Sequence, residues 1–176
     1  MFKKAFLFVL CSILVGCSAS ISDFKDETPK LDFFQFFNGE TEAYGMVQDS
    51  SGKIISRFTV NTIGVIKDNK LILDETFKWD RKGNNPNKRI WTVRKENGKY
   101  IANASDVEGD AIGVESGNAF NLKYTLKVMT DKYGEVNVSV NDWMYLQDPK
   151  HIINLTTMTK FGFTVGKISI FFTKKS

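Results

Sequence analysis

Phe120-Asn121-Leu122-Lys123-Tyr124-Thr125-Leu126-Lys127-Val128 carries an apolar or aromatic side chain at each even position and a polar one at each odd position. A period of two is the side-chain period of a β-strand, so one face of this stretch belongs in a core and the other in water. The same period recurs on both sides of it. Leu71, Leu73, Phe77 and Trp79 share one face of residues 70–79, and Val136, Val138, Val140, Met144 and Leu146 share one face of 135–146. Residues 43–48, 53–65, 88–95, 99–104, 110–115, 152–160 and 163–174 are further strand candidates.

Turn chemistry separates these segments at Ser51-Gly52, Asp68-Asn69, Gly83-Asn84-Asn85-Pro86, Asn97-Gly98, Ser116-Gly117-Asn118, Tyr133-Gly134 and Gln147-Asp148-Pro149. Asn-Gly in particular favours the two-residue hairpin turn. Short strands joined by tight turns make an antiparallel up-and-down meander. An open meander of this width leaves edges exposed, so an all-β barrel of about 8–10 strands is expected, with a two-sheet sandwich as the alternative. The aromatic cluster Leu31-Asp32-Phe33-Phe34-Gln35-Phe36-Phe37 reads as a short helix or turn plugging one end.

The start of the chain has a different character. Met1-Phe2-Lys3-Lys4 is basic, and Ala5 to Val15 is an apolar run broken only by Cys11 and Ser12. That run is shorter than the roughly 20 residues needed to cross a bilayer and has the form of a secretory leader. It ends in Leu14-Val15-Gly16-Cys17, which resembles a bacterial lipobox. The pattern implies cleavage before Cys17 and acylation there, as by diacylglycerol and palmitate. Three acyl chains, at ~0.8 kcal/mol for each buried methylene, hold a protein on a membrane essentially permanently. Ser18, rather than Asp, follows the cysteine, which points to the outer membrane, facing the periplasm. The expected organisation is a signal peptide (1–16), the lipid-attachment cysteine with a tether (17–30), and a single barrel domain (31–176).

Composition excludes several function classes. Removing the leader takes Lys3, Lys4 and Cys11 with it, so the net charge falls from +4 to +2 and Cys17 is the only cysteine left. A balance so close to neutral, without a dense basic cluster, argues against nucleic acid. No thiol remains for a disulfide or a nucleophile, and His151 is the only histidine, so neither a multi-histidine metal site nor a Ser-His-Asp triad is expected. No phosphate-binding loop, dinucleotide fingerprint or calcium loop occurs, and no cofactor is expected.

The informative departures are charges on apolar strand faces. Glu75 is in register with Leu71 and Phe77, Arg89 with Trp91 and Val93, Asp142 with Val136 through Leu146, and Lys160 with Met158 and Ile152. Buried charges need partners. Glu75 with Arg89 and Asp142 with Lys160 are the natural cross-hairpin pairs. One reading makes these structural ion pairs at a barrel end or residues facing water. The other has Glu75, Arg89, Asp142 and Lys160 line a cavity beside Trp91, Trp143 and Tyr145 and orient the polar head of a largely apolar ligand.

The most particular strings are Asp142-Trp143-Met144-Tyr145-Leu146-Gln147-Asp148, Lys160-Phe161-Gly162, Gly45-Met46-Val47-Gln48-Asp49 and Arg89-Ile90-Trp91-Thr92-Val93. Together they resemble DUF family 3833, a family of proteobacterial lipoproteins, from about Leu31 to the C-terminus. The resemblance implies a lipocalin-like barrel, a lipobox and a lipid-related role, and supplies no catalytic residues. Three functions follow as expectations. The first is a membrane-anchored protein binding a fatty-acid-like ligand. The second is an isomerase or hydrolase using Glu75 or Asp142 as general base, and the third is an envelope interaction module. The binding protein is preferred over the enzyme.

Overall fold

The period-two segments all become strands. The computed structural model describes residues 19–81, 83 and 85–175, so the leader and Cys17 lie outside the described residues. The strands are β1 (Gly39–Asp49), β2 (Ile54–Lys67), β3 (Lys70–Trp79), β4 (Lys88–Glu96), β5 (Lys99–Asn103), β6 (Val107–Ser116), β7 (Ala119–Thr130), β8 (Gly134–Asp148), β9 (His151–Lys160) and β10 (Phe163–Lys174). Each pairs antiparallel with the next, and β1 also pairs with β10, from Thr41 opposite Lys174 to Asp49 opposite Gly166. The sheet therefore closes into a ten-stranded barrel, and the sandwich alternative falls.

Alternation sets the wall. Along β2, Ser56, Phe58, Val60 and Thr62 are buried while Arg57, Asn61 and Ile63 are exposed. Asp68-Asn69 and Asn97-Gly98 both take positive φ at two successive residues, the conformation whose twist matches the flanking strands.

The aromatic cluster forms α1 (Phe33–Phe37), capped by Asp32, whose carboxylate accepts the Gln35 N–H at 3.1 Å. Five residues cannot hold a helix alone. Tertiary contacts hold it instead. Phe33 stacks on Phe120 with ring centroids 4.2 Å apart, and Phe37 meets Phe172 edge-on at 5.4 Å. Lys174 Nζ donates to the carbonyls of Phe36 and Asn38, each at 2.7 Å, and so satisfies the C-terminal end of the helix. The Glu115 carboxylate accepts both the Phe33 N–H at 2.8 Å and the Tyr100 hydroxyl at 3.0 Å. α1 thus plugs the end of the barrel that carries the β2–β3, β4–β5, β6–β7 and β8–β9 turns.

Residues 19–30, the described part of the stretch read from sequence as a tether, lie against the outer wall. A 3-10 turn at Ile21–Phe24 places the Phe24 ring 5.6 Å from Trp143 and 5.4 Å from Tyr145. Leu31 N–H then donates to the Gly117 carbonyl at 2.8 Å. The strap is held because Trp143 and Tyr145 present apolar faces outward that Phe24 covers.

The plug depends on one small residue. A Cβ on Gly64 would sit 1.6 Å from the Phe37 carbonyl oxygen, so any side chain there displaces α1. Gly64→Ala is expected to cost a few kcal/mol of unfolding free energy in urea titrations, whereas Ile63→Ala, at a position 50 % exposed on the outer face, should cost about 1 kcal/mol or less.

Candidate functional site

Inside the barrel, α1 and the lower side chains fill only the plugged half. Above them lies a cavity of about 1410 Å³. Phe33 and Phe37 contribute to its floor, and Phe58, Leu73, Leu122, Met144 and Ile168 are among its apolar wall residues. The cavity opens at the end carrying the β1–β2, β3–β4, β5–β6, β7–β8 and β9–β10 connections, where Ile55, Pro86, Tyr133 and Phe161 line the mouth. Tyr133 and Phe161 are strongly exposed, and Phe161 takes φ +51 at its hairpin tip, a conformation that bulky residues rarely adopt.

A polar cluster interrupts the apolar wall. Strand pairing sets Glu75 directly opposite Arg89 across β3 and β4, yet Arg89 does not close on Glu75. It donates to Asp106 instead, from Nε at 3.0 and 3.1 Å and from one amino group at 2.5 Å. The reason lies in the short β5. The β4–β5 ladder ends at Thr92 opposite Asn103, so the first residues of β4 pair with β3 but have no strand on the β5 side. The Arg89–Asp106 pair ties β4 to the β5–β6 connection across that gap. Arg89 also lies over the rings of Phe77 and Trp91, at 5.8 and 5.9 Å.

Among the described residues, Glu75 is left without a charge partner in contact. Its Oε2 is enclosed and makes no hydrogen bond among the described residues. Loss of hydration pushes its carboxyl up to about 7, with the charges of Asp106 and Asp142 acting in the same direction; the Arg89 charge and the Trp91 side chain oppose them. Asp142, on β8, is buried. Its Oδ1 accepts from Asn154 Nδ2 at 2.5 Å and from Thr156 Oγ1 at 2.6 Å. Burial raises its pKa, and those two hydrogen bonds limit the rise. Tyr124, packed edge-on to Trp91 at 5.6 Å, is pushed well above the usual phenol range by burial and by the neighbouring carboxylates.

Five of the seven residues expected around a ligand reach the cavity: Glu75, Arg89, Trp91, Asp142 and Lys160. Lys160 sits at the mouth, where Nζ donates to the Asn137 carbonyl at 2.9 Å, so the expected Asp142–Lys160 pair does not form. Trp143 and Tyr145 require correction. They occupy odd positions of β8, on the opposite face from Asp142, and stack on each other outside the barrel at 5.9 Å under Phe24. Sequence reading missed Asp106, Tyr124, Asn154 and Thr156. Tyr124, Asn154 and Thr156 lie on inward-facing register positions and could have been found from parity; Asp106 lies in a connection with no period to read. Among the described residues, no group of three or more His, Cys, Asp or Glu side chains converges as metal ligands.

The raised pKa of Glu75 has a sign that can be tested. In the unfolded chain its carboxyl ionises near 4.5, and in the folded protein near 7. Between these values the folded state holds a proton that the unfolded state has released, so stability present below pH 4.5 is lost as pH rises through 7. Glu75→Gln removes this penalty. Thermal melts of the variant and the parent should coincide near pH 4.5 and diverge to a plateau above pH 7, with the variant more stable by at most about 3 kcal/mol.

Comparison with curated protein sequences finds no match. Two solved structures share the fold. One is a protein of unknown function of the DUF3598 family from Nostoc punctiforme PCC 73102, with TM-score 0.61 and 12% identity over 84% of this chain and 51% of that one. The present chain thus spans about half the length of that protein. The other is the S-type phycobiliprotein lyase CpeS from Guillardia theta, with TM-score 0.55 and 8% identity over 82% of this chain and 91% of that one. Both likenesses are of fold, and with the closed ten-stranded meander they establish a lipocalin-like barrel. The family model described as "Protein of unknown function (DUF3833)" matches residues 11–174, so the chain belongs to that family.

Proposed function

We propose that this protein is a lipid-anchored component of the cell envelope, on the periplasmic side of the outer membrane, whose barrel holds a lipophilic ligand. The observation that carries the reading is the open cavity of about 1410 Å³, apolar except for one polar cluster. Ligand sites are characteristically apolar concavities with a few placed polar groups, and this volume exceeds the roughly 300–1,000 Å³ usual for them. It has room for a multi-chain or broad-ringed amphiphile. The anchoring part of the proposal rests on the lipobox-like Leu14-Val15-Gly16-Cys17. Two residues of extended chain span about 7 Å, so acyl chains on Cys17 would join the protein close to the strap that begins at Ala19.

A second reading is favoured by one observation. Glu75 lines the cavity, lacks a charge partner in contact among the described residues and has a carboxyl near 7, which is the state of a general base working at neutral pH. An enzyme acting on the bound amphiphile would use that carboxylate. The barrel's likeness to a protein named as a lyase agrees with this reading without identifying a reaction.

Cys17→Ser is expected to abolish incorporation of radiolabelled palmitate and to move the protein from the detergent to the aqueous phase in phase partitioning. In that soluble background, an environment-sensitive lipophilic dye should be bound and should brighten. Leu126→Trp, which fills part of the cavity, should weaken dye binding at least tenfold, and Trp143→Ala, on the outer wall, should leave it unchanged. Equal binding by parent and Leu126→Trp would contradict the location.

A further inference from the structure

We propose that the ligand presents a protonated nitrogen, as an amine-bearing amphiphile does, to Glu75 and Asp142, and that a free carboxylate is the disfavoured head group; this rests on the cavity-binding reading above. The charge inventory of the cluster carries the inference. Four ionisable groups face the region around Glu75 besides itself: Arg89 from β4, Asp106 from the β5–β6 connection, Tyr124 from β7 and Asp142 from β8. Three are carboxyls counting Glu75, and the only cation among them is Arg89.

That cation is already committed. Asp106 takes its Nε and one amino group in a two-oxygen contact, which neutralises its charge where it is made. Asp142 has its Oδ1 filled by neutral donors, Asn154 and Thr156, which satisfy hydrogen bonding without supplying positive charge. Glu75 has one enclosed oxygen, Oε2, with no donor among the described residues, while the Trp91 side chain hydrogen-bonds the carboxylate. Around Glu75 the wall therefore sets three carboxyls against one guanidinium, with Lys160 at the mouth bonded to the Asn137 carbonyl. A ligand carboxylate would enter beside two further carboxyls, with Arg89 already engaged. An ammonium group supplies the positive charge that the cluster is short of and a donor for Glu75 Oε2, and the Trp91 and Tyr124 rings that meet there favour a cation over their faces.

Glu75 makes this preference depend on pH. As it loses its proton around neutrality, an ammonium ligand gains a counter-charge and a carboxylate ligand gains a repulsion. The two head groups should therefore respond to pH in opposite directions in the same cavity.

The test uses the mature chain with Cys17→Ser, so that no attached acyl chain competes, and three probes with one ten-carbon tail: decylamine, decanol and decanoate. Each displaces the environment-sensitive dye at pH 5.5 and at pH 8.5. The expected result is decylamine at least tenfold tighter than decanoate at pH 8.5. Decylamine should tighten and decanoate weaken between the two pH values, decanol should change little, and Glu75→Gln should flatten both trends. Decanoate binding as tightly as decylamine at pH 8.5, or pH trends that survive in Glu75→Gln, would overturn the inference while leaving the cavity reading intact. If the dye and all three probes fail to bind, both fall. The comparison of amine with carboxylate in the parent chain decides the matter even if the variant does not fold.

Discussion

A barrel of ten strands is wider than its own inward side chains can fill, and the rest of this structure follows from how that surplus is divided. One end is filled by α1, five residues long and four of them phenylalanine, which could not exist as a helix without the barrel around it. Its seat depends on the absence of a side chain at Gly64 and on Lys174, which reaches across to satisfy the last carbonyls. At the other end the described residues provide no such plug. A tube closed at one end is a cup, and its depth is set by where Phe33 and Phe37 stop.

Inside that cup the polar residues are few and unequally matched. The shortness of β5 leaves a gap beside β4, and Arg89 crosses it to Asp106. That structural duty turns the one deep cation onto Asp106, so it acts on Glu75 through its field and not by contact. Glu75 is therefore enclosed, with no donor to its Oε2 among the described residues, in a wall where Asp142 has already been satisfied by neutral groups. Buried polar atoms in native proteins are usually paired, and an orphaned carboxylate facing a cavity is where a bound molecule has most to contribute. The same isolation that disfavours folding at neutral pH gives the cavity its chemical preference.

Much of this is legible in the sequence because it obeys a local rule. All ten strands follow from a period of two, the plug from a dense run of phenylalanines, and the inward positions of Glu75, Arg89, Trp91 and Asp142 from counting residues along a strand. Trp143 and Tyr145 suggest a ligand contact because they are aromatic, although their odd positions already place them outside. The identity of Arg89's partner is not legible. It depends on where the β4–β5 ladder ends and on the course of the connection that carries Asp106, and neither has a periodic signature.

The central claim is that the barrel is a cup with a lipophilic occupant. Native mass spectrometry of the protein, released intact from its own envelope in a mild detergent, tests this most directly. The expected result is a bound species of one defined mass, one per chain, that leaves on collisional activation and partitions into organic solvent. A bare protein mass, with no added amphiphile retained on titration, would contradict it.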